Sequence, residues 1–330
     1  MSSRPSKVGI LLINLGTPEA TGYFPIRRYL KEFLSDRRIV NINPILWRII
    51  LHLMILPRRP FVTGKNYQRI WDETKDGSPL RFFTRRQAEL LKQRFPDEEV
   101  QVEWAMRYGM PSIPQKIKAL QAKGCHRILF LPLYPQYSAS TSASAQDAIF
   151  KYLRTLTNQP AILTMPSFAG DEDYITALTL SLKRALNSLT FTPEKILLSF
   201  HGIPRKMAIK DYRYPTDCAL TAQKLRQKMH MSEQQMILTY QSRFGAAEWL
   251  KPYTIDVVKE LARTGTKHLV IMAPGFFSDC LETLDELGRE IKEIFLAEGG
   301  ENFALIPCLN DSQESIDLLE KLIQKIRASF

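Results

Sequence analysis

Short runs of apolar, largely β-branched residues punctuated by Gly or Pro recur along the chain, at Val8–Ile13, Val100–Met106, Arg127–Leu133, Ala161–Met165, Lys195–Phe200, Met236–Tyr240, His268–Ala273 and Phe303–Ile306. Each is of strand length. Between them lie longer stretches with apolar positions at helical spacing, such as Thr84–Phe95, Tyr174–Leu189, Thr254–Arg263, Leu281–Phe295 and Ser312–Ile326. Strand followed by helix, repeated, predicts an α/β fold built on parallel sheets.

The pattern has an internal echo. Ile10-Leu11-Leu12-Ile13-Asn14-Leu15-Gly16 matches Ile196-Leu197-Leu198-Ser199-Phe200-His201-Gly202. Met106-Arg107-Tyr108-Gly109 matches Ser242-Arg243-Phe244-Gly245, and Leu131-Pro132 matches Ala273-Pro274. Three matches in one order point to two similar halves; the alternative is glycine punctuation common to any two such sheets. In doubly wound sheets ligands sit beyond the carboxyl ends of strands, so the residues after each strand are where chemistry is to be sought.

The most apolar stretch, Ile42–Leu56, is interrupted by Asn43, Pro44, Arg48 and His52 and falls short of the roughly 20 residues of a spanning helix. Followed by Pro57-Arg58-Arg59-Pro60, it reads as a helix meeting lipid or a large apolar ligand, with an ordinary core helix as the competing reading. The N-terminal run Val8–Ile13 lacks a cleavage site, so the expected location is the cytoplasm. Cys125, Cys218, Cys280 and Cys308 are far apart in sequence and make no C-x-x-C pair, which suits a reducing compartment. The net charge of +11 is uneven: residues 1–165 hold 25 Lys and Arg against 12 Asp and Glu, residues 166–330 hold 20 against 22. An anionic partner would therefore meet the first half. The basic residues are scattered without a nucleic-acid module, so no nucleic acid is expected.

Three strand ends carry candidate chemistry. His201-Gly202-Ile203-Pro204 places a histidine at the end of an apolar strand, suited to a base or a ligand, or else to a structural hydrogen bond in the turn. Pro274-Gly275-Phe276-Phe277-Ser278-Asp279 leads into a helix on which Glu282, Glu286 and Glu290 stack at i, i+4 and i+8. Like charges at that spacing repel unless a cation or water relieves them. The alternatives are a capping box from Asp279 to Glu282 and a solvated face neutralised by Arg289 and Lys292. Leu133-Tyr134-Pro135-Gln136-Tyr137-Ser138-Ala139-Ser140-Thr141-Ser142 could line a flat ligand or bind an anion, or form a turn with helix caps.

Read together, Leu12-Ile13-Asn14-Leu15-Gly16-Thr17-Pro18, Leu131–Ser138, Ser199–Pro204 and Ser278–Leu284, in this order and spacing, resemble the ferrochelatase family. Gly77-Ser78-Pro79-Leu80, Arg107-Tyr108-Gly109 and Tyr240-Gln241-Ser242-Arg243 extend the resemblance over nearly the whole chain. The resemblance implies two Rossmann-like, doubly wound domains in a class II chelatase-like arrangement with a cleft between them. The expected domains are 1–165 with 307–330, bearing a porphyrin-lip segment at 42–61, and 166–306, bearing His201 and the Glu282 helix. It implies insertion of Fe²⁺ into protoporphyrin IX to give protohaem, with ferrous iron as substrate and no tightly bound cofactor.

The chemistry agrees with that implication. A free-base porphyrin is planar and holds two N–H protons, so a metal enters only if the ring bends and the protons are accepted nearby. A histidine near neutral pKa suits the exchange. Imidazole and carboxylate bind Fe²⁺ without trapping it as thiolates would. The expected catalytic and metal-binding residues are His201 and Glu282, with Asp279, Glu286 and Glu290 as an outer metal or proton path. By resemblance, Tyr137 and Phe276 would line the macrocycle pocket together with Leu15, and Arg69, Arg107 or Thr84 would meet propionates or orient the cleft.

Two departures from the family pattern stand out. Asp211-Tyr212-Arg213-Tyr214-Pro215 keeps only the final Tyr-Pro of a loop that many relatives carry as Gly-Asp-Pro-Tyr-Pro. The chain also ends at Phe330 without a cysteine-bearing extension, so no iron–sulfur cluster is expected. Leu15 stands where coproporphyrin-using relatives often carry tyrosine, which favours protoporphyrin. A monomer with peripheral contact at the inner face of the membrane completes the expectation. The rival readings are another tetrapyrrole chelatase, for coproporphyrin or cobalt, and a porphyrin carrier without catalysis.

Overall fold

The computed structural model describes residues 7–96, 99–245 and 247–327. All eight apolar runs form strands, β1 (Lys7–Gly16), β2 (Val100–Tyr108), β3 (Cys125–Pro132), β4 (Ala161–Thr164), β5 (Lys195–His201), β6 (Met236–Gln241), β7 (His268–Met272) and β8 (Asn302–Leu305). They make two four-stranded parallel sheets with the same order, β2-β1-β3-β4 and β6-β5-β7-β8. Parallel strands covered on both faces need continuous apolar sequence; Ile10–Ile13 and Ile196–Leu198 are accordingly fully buried.

The chain divides into two compact units. The first comprises the described residues up to Leu133, Ser138–Pro166, and the chain from Leu319; the second comprises Tyr134–Tyr137 and Ser167–Leu318. Residues 307–318 thus group with the second unit, not with the first as the sequence led us to expect. Hydrogen bonds explain the difference: Cys308 N–H donates to Asp279 Oδ1 (3.3 Å) and Asn310 N–H to Phe277 O (3.0 Å). Tyr134–Tyr137 joins the second unit because the amide of Gln136 donates to Thr221 Oγ1 (2.9 Å) and the Tyr137 N–H donates to Asp217 Oδ2 (2.9 Å).

The first unit carries α1 (Tyr23–Leu34), α2 (Pro44–Ile50), α3 (Leu56–Ile70), α4 (Pro79–Arg94), α5 (Ile113–Ala122) and α6 (Ser144–Leu153). One side of its sheet packs Leu11, Ile13 and Phe130 against Ile117, Leu120 and Ile149. A π-helical stretch, Leu51–Ile55, joins α2 to α3. Asn43 caps α2 by accepting from Ile45 N–H and Leu46 N–H, the satisfaction of helix-end donors that asparagine favours. This segment is not an ordinary core helix. Leu51 and Leu56 are buried, while Ile45 (76%), Leu53 (70%), Met54 (59%) and Phe61 (62%) are exposed.

The second unit carries α7 (Glu172–Asn187), α8 (Arg205–Lys210), α9 (Arg213–Met229), α10 (Thr254–Arg263), α11 (Lys292–Ala297) and the start of α12 (Gln313–Arg327). Leu197, Leu269 and Ile271 of its sheet pack against Val258, Leu287, Ile291 and Phe295. Between β7 and α11 the chain forms a π-helix, Glu282–Ile291, where an α-helix was expected.

The internal echo is structural, with a corrected register. In the first unit Met106 N–H donates to Pro111 O, in the second Tyr240 N–H donates to Pro252 O, both at 2.8 Å. Met106 pairs with Asn14 and Tyr240 with Phe200, so the equivalent of Met106 is Tyr240, two residues before the match read from sequence. Each unit also places a π-helical turn after its third strand, Ala139–Ala143 after β3 and Glu282–Ile291 after β7.

Candidate functional site

β5 ends in Ser199-Phe200-His201 and β6 in Thr239-Tyr240-Gln241, and the parallel register sets Ser199 beside Thr239 and His201 beside Gln241. Residues two apart on a strand share a face, so four polar side chains occupy one face at the carboxyl end of this strand pair. Beyond His201 the chain turns at Gly202, whose N–H donates to Gln241 O (2.8 Å). A Cβ on Gly202 would lie 2.8 Å from that same oxygen and 3.1 Å from Trp249 Cε3, so the close approach requires glycine.

The half-buried His201 ring is oriented on several sides. Its Nδ1 lies 2.6 Å from Gly202 O; a carbonyl only accepts, so in the neutral ring the hydrogen is on Nδ1 and Nε2 keeps a lone pair. Trp249 and Phe276 lie 6.4 and 6.5 Å from it, centroid to centroid. Tyr214, at the start of α9, donates its buried hydroxyl to His201 O (2.6 Å). Burial raises the Tyr214 pKa well above the ordinary phenol value, so it remains a donor.

Glu282 opens the π-helix, and its main-chain oxygen accepts from Gln241 Nε2 (2.9 Å). Glu286 is clamped by one residue. Ser242 N–H donates to its Oε1 (2.7 Å) and Ser242 Oγ to its Oε2 (2.5 Å), with Gln241 Nε2 at 3.5 Å. Ser242 holds φ = 63°, a left-handed conformation uncommon for serine. Burial raises the Glu286 pKa, opposed by the Ser242 bonds and by the charge of His201 and assisted by the charge of Glu282. The Cys280 thiol is buried beside the same carboxylate, and burial and the charge of Glu282 push its pKa well up.

Other expected residues stand elsewhere. Asp279 is held by partners of its own unit. Its carboxylate accepts from Thr283 Oγ1 (3.0 Å), Asn310 Nδ2 (2.6 Å) and Cys308 N–H (3.3 Å), and so fixes the 308–310 segment. The Asp279-to-Glu282 capping box is not formed either, since the π-helix has Leu281 at its cap position without a side-chain bond. Glu290 is exposed and paired with Arg289 (2.8 Å), which also binds Asp285 (2.6 Å) and Glu293 (3.1 Å). The solvated-face reading thus applies to Glu290 and not to Glu286.

Tyr137 lies in the second unit with the Arg213 guanidinium 3.6 Å from its ring centroid. In the first unit Leu15 is half-buried at the end of β1. Thr84 is wholly buried, accepting from Asn14 Nδ2 (3.1 Å) and donating to Leu80 O (2.7 Å), so it is a packing residue rather than a carboxylate contact. Arg107 binds Asp36 (2.5 Å) and Ser144 (2.7 Å), so its guanidinium is committed within the unit. Arg69 is exposed and donates to Asn66 Oδ1 (3.1 Å). Ser138 caps the Ala139–Ala143 turn, with Ser140 N–H donating to its Oγ (3.3 Å).

Sequence reasoning assigned no role to Ser199, Tyr214, Gln241, Ser242 or Trp249. Gln241 and Ser242 follow the strand next to β5, and the rule that ligands gather beyond strand ends points to them. Among the described residues no three His, Cys, Asp or Glu side chains converge as a metal-holding group.

The family model for ferrochelatase matches residues 7–326. Among curated relatives, a ferrochelatase of Gluconobacter oxydans is 51% identical over 98% of this chain and 94% of its own, and one of Brucella ovis is 48% identical over 98% and 92%. Among solved structures, SirB from Bacillus subtilis with Fe³⁺ superposes with a TM-score of 0.57 at 14% identity, over 97% of this chain and 95% of that one. That last likeness is one of fold.

Proposed function

Since the chain belongs to the ferrochelatase family, we propose that it inserts ferrous iron into protoporphyrin IX at a site centred on His201 and Glu282. The enzyme is a metal-chelating lyase, with Fe²⁺ as substrate. The observation that carries the site assignment is the joining of strand end to π-helix. His201 stands beside Gln241 in register, Gln241 donates to Glu282 O, and Ser242 clamps Glu286.

On this reading, Nε2 of His201 accepts a pyrrole proton or meets the entering iron, because Nδ1 is held by Gly202 O. Glu282 serves the same centre, and Glu286, raised in pKa by burial, takes protons onward. Phe276 and Trp249 flank the imidazole and offer flat apolar surface to a macrocycle, with Tyr137 as a further lining residue. Leu15 favours protoporphyrin over coproporphyrin. The exposed apolar face of α2 and α3 supports a porphyrin lip and peripheral contact at the inner face of the membrane. Among the described residues no helix is long and apolar enough to cross one. We read the enzyme as a cytoplasmic monomer.

The test is anaerobic Fe²⁺ insertion followed by the porphyrin absorbance change, in wild type and a folded His201→Ala variant. Haem formation that collapses in the variant supports reaction and site. Porphyrin binding without insertion by the wild type makes the protein a carrier, and an undiminished variant moves the chemistry away from His201.

A further inference from the structure

A cluster of hydroxyls lies beneath the site, in the sheet. Ser199 and Thr239 are fully buried and Thr254, opening α10, is 1% exposed. Thr254 Oγ1 lies 2.9 Å from both Ser199 Oγ and Thr239 Oγ1, and Ser199 Oγ donates to Gln241 Oε1 (2.8 Å). Two hydroxyls and an amide on adjacent strands of an apolar parallel sheet, met by a third hydroxyl from α10, are unusual, since Leu197, Leu198 and Ile237 show what these strands otherwise carry. Leucine or valine would fill the space without a need for partners.

The cluster acts on one side chain. The Gln241 amide has an accepting end and a donating end. Its Nε2 faces the Glu282 main-chain oxygen (2.9 Å) and the Glu286 carboxylate (3.5 Å), both of which only accept. With the amide turned over, Oε1 would face those two oxygens with no hydrogen between them. Ser199 reads the other end: an amide oxygen only accepts, so the Ser199 hydrogen is committed to it. Ser199 Oγ, its own hydrogen committed, can only accept from Thr254, which has one hydrogen to divide between Ser199 Oγ and Thr239 Oγ1. The result is a chain of contacts from the sheet interior to the first residue of the π-helix.

We infer that Ser199 and Thr254 are positioning residues for metal insertion, which set the polarity and rotamer of the Gln241 amide and through it the opening turn of the π-helix that bears Glu282 and Glu286. The inference rests on the reading of His201 and Glu282 as the insertion site. Neither Ser199 nor Thr254 touches a substrate on this account, and both act through Gln241. Without the Ser199 hydroxyl, Oε1 is buried without its donor, and the amide is free to turn its oxygen toward Glu286.

The test is a kinetic cycle with Ser199→Ala, Gln241→Leu and the double variant, assayed for anaerobic iron insertion beside His201→Ala. Ser199→Ala should lower kcat about tenfold, the effect of one lost oriented hydrogen bond, with the porphyrin KM little changed and the melting temperature lowered by a few degrees, since the buried amide oxygen loses its donor. In the Gln241→Leu background Ser199→Ala should lower kcat no further, because the path it works through is already gone. Thr254→Val, which keeps the shape and removes the hydroxyl, should reproduce the loss, and Thr254→Ser, which keeps the hydroxyl, should restore it. If Ser199→Ala does not fold, the Thr254 pair carries the same test. Wild-type kcat in Ser199→Ala and Thr254→Val, or a full additional loss in the Gln241→Leu background, overturns the inference. An active His201→Ala overturns the site assignment itself, a separate result.

Discussion

The Tyr214 hydroxyl donates to the main-chain oxygen of His201 over 2.6 Å, tying the residue at the end of β5 to the first turn of α9. Tyr214 is the tyrosine of the Tyr-Pro that this chain retains from the divergent 211–215 stretch, so the one element kept there is the one that holds the histidine. Tyr214→Phe keeps the ring and removes the donor. The His201 carbonyl then loses its side-chain partner, at a cost of about 1–2 kcal/mol. Denaturant unfolding should show that loss, and initial rates of iron insertion should fall several-fold with the porphyrin KM unchanged. Full stability with full rate would show that the bond orients nothing.

Gly202 gives a sharper steric test. A methyl group there meets Gln241 O at 2.8 Å and Trp249 Cε3 at 3.1 Å, and since one obstacle is backbone, β5 and β6 must part locally. Gly202→Ala should cost about 1–3 kcal/mol, the range for overpacking. It should also lower insertion activity more than Tyr214→Phe does, because it displaces His201 from Gln241. A variant crystal structure with unchanged His201-to-Gln241 register and wild-type turnover would refute this.

In the first unit, Asp36 accepts from Arg107 Nη2 (2.5 Å), Tyr108 OH (2.8 Å) and Ser144 Oγ (2.5 Å), and its other oxygen accepts from Arg38 N–H (2.7 Å). Burial alone would raise its pKa, but the bonds from Ser144, Arg38 and Tyr108 and the charge of Arg107 outweigh it, so the pKa lies below the ordinary carboxylate value. A lowered carboxylate contributes stability above its unfolded pKa, and that contribution is lost as pH falls through the folded pKa. Asp36→Asn should therefore be less stable than wild type at pH 7, by about 2 kcal/mol. The gap should narrow as pH falls below about 4. Thermal melts across pH would expose the error if the gap were constant or widened in acid.

How far the sequence carries this account depends on the range of the forces involved. The strands were legible because a parallel strand buried on both faces has to be a continuous apolar run, as Ile10–Ile13 and Ile196–Leu198 are. His201 was legible by its place just beyond such a run. The π-helix was not, since a pattern of apolar positions does not report whether N–H groups bond four or five residues back. That change matters for the acidic ladder: Glu286 turns to Ser242, and Glu290 turns to Arg289 at the surface. The bonds of Asp279 were not legible because its partners Cys308 and Asn310 are about thirty residues away in sequence. Arg107 looked available for the same reason, its partner Asp36 lying 71 residues earlier.

The exposed face of α2, the π-helical turn and α3 is the part of the proposal most open to direct measurement. Ile45, Leu46, Ile49, Leu53, Met54, Phe61 and Val62 are all more than half exposed, with Arg48, Arg58 and Lys65 exposed among them. Apolar side chains flanked by cations fit the boundary of an anionic bilayer, where each basic residue near the surface adds about 1 kcal/mol. Because Leu53 is 70% exposed, Leu53→Glu removes little packing and should leave the melting temperature within a degree or two. It places a negative charge where the acyl boundary would be. Co-sedimentation with phosphatidylglycerol-containing vesicles should therefore drop several-fold in Leu53→Glu, and wild-type binding should weaken as salt rises. Iron insertion with porphyrin presented in detergent should be reduced less than with porphyrin presented in vesicles. Equal vesicle binding by variant and wild type would assign this face to the macrocycle alone.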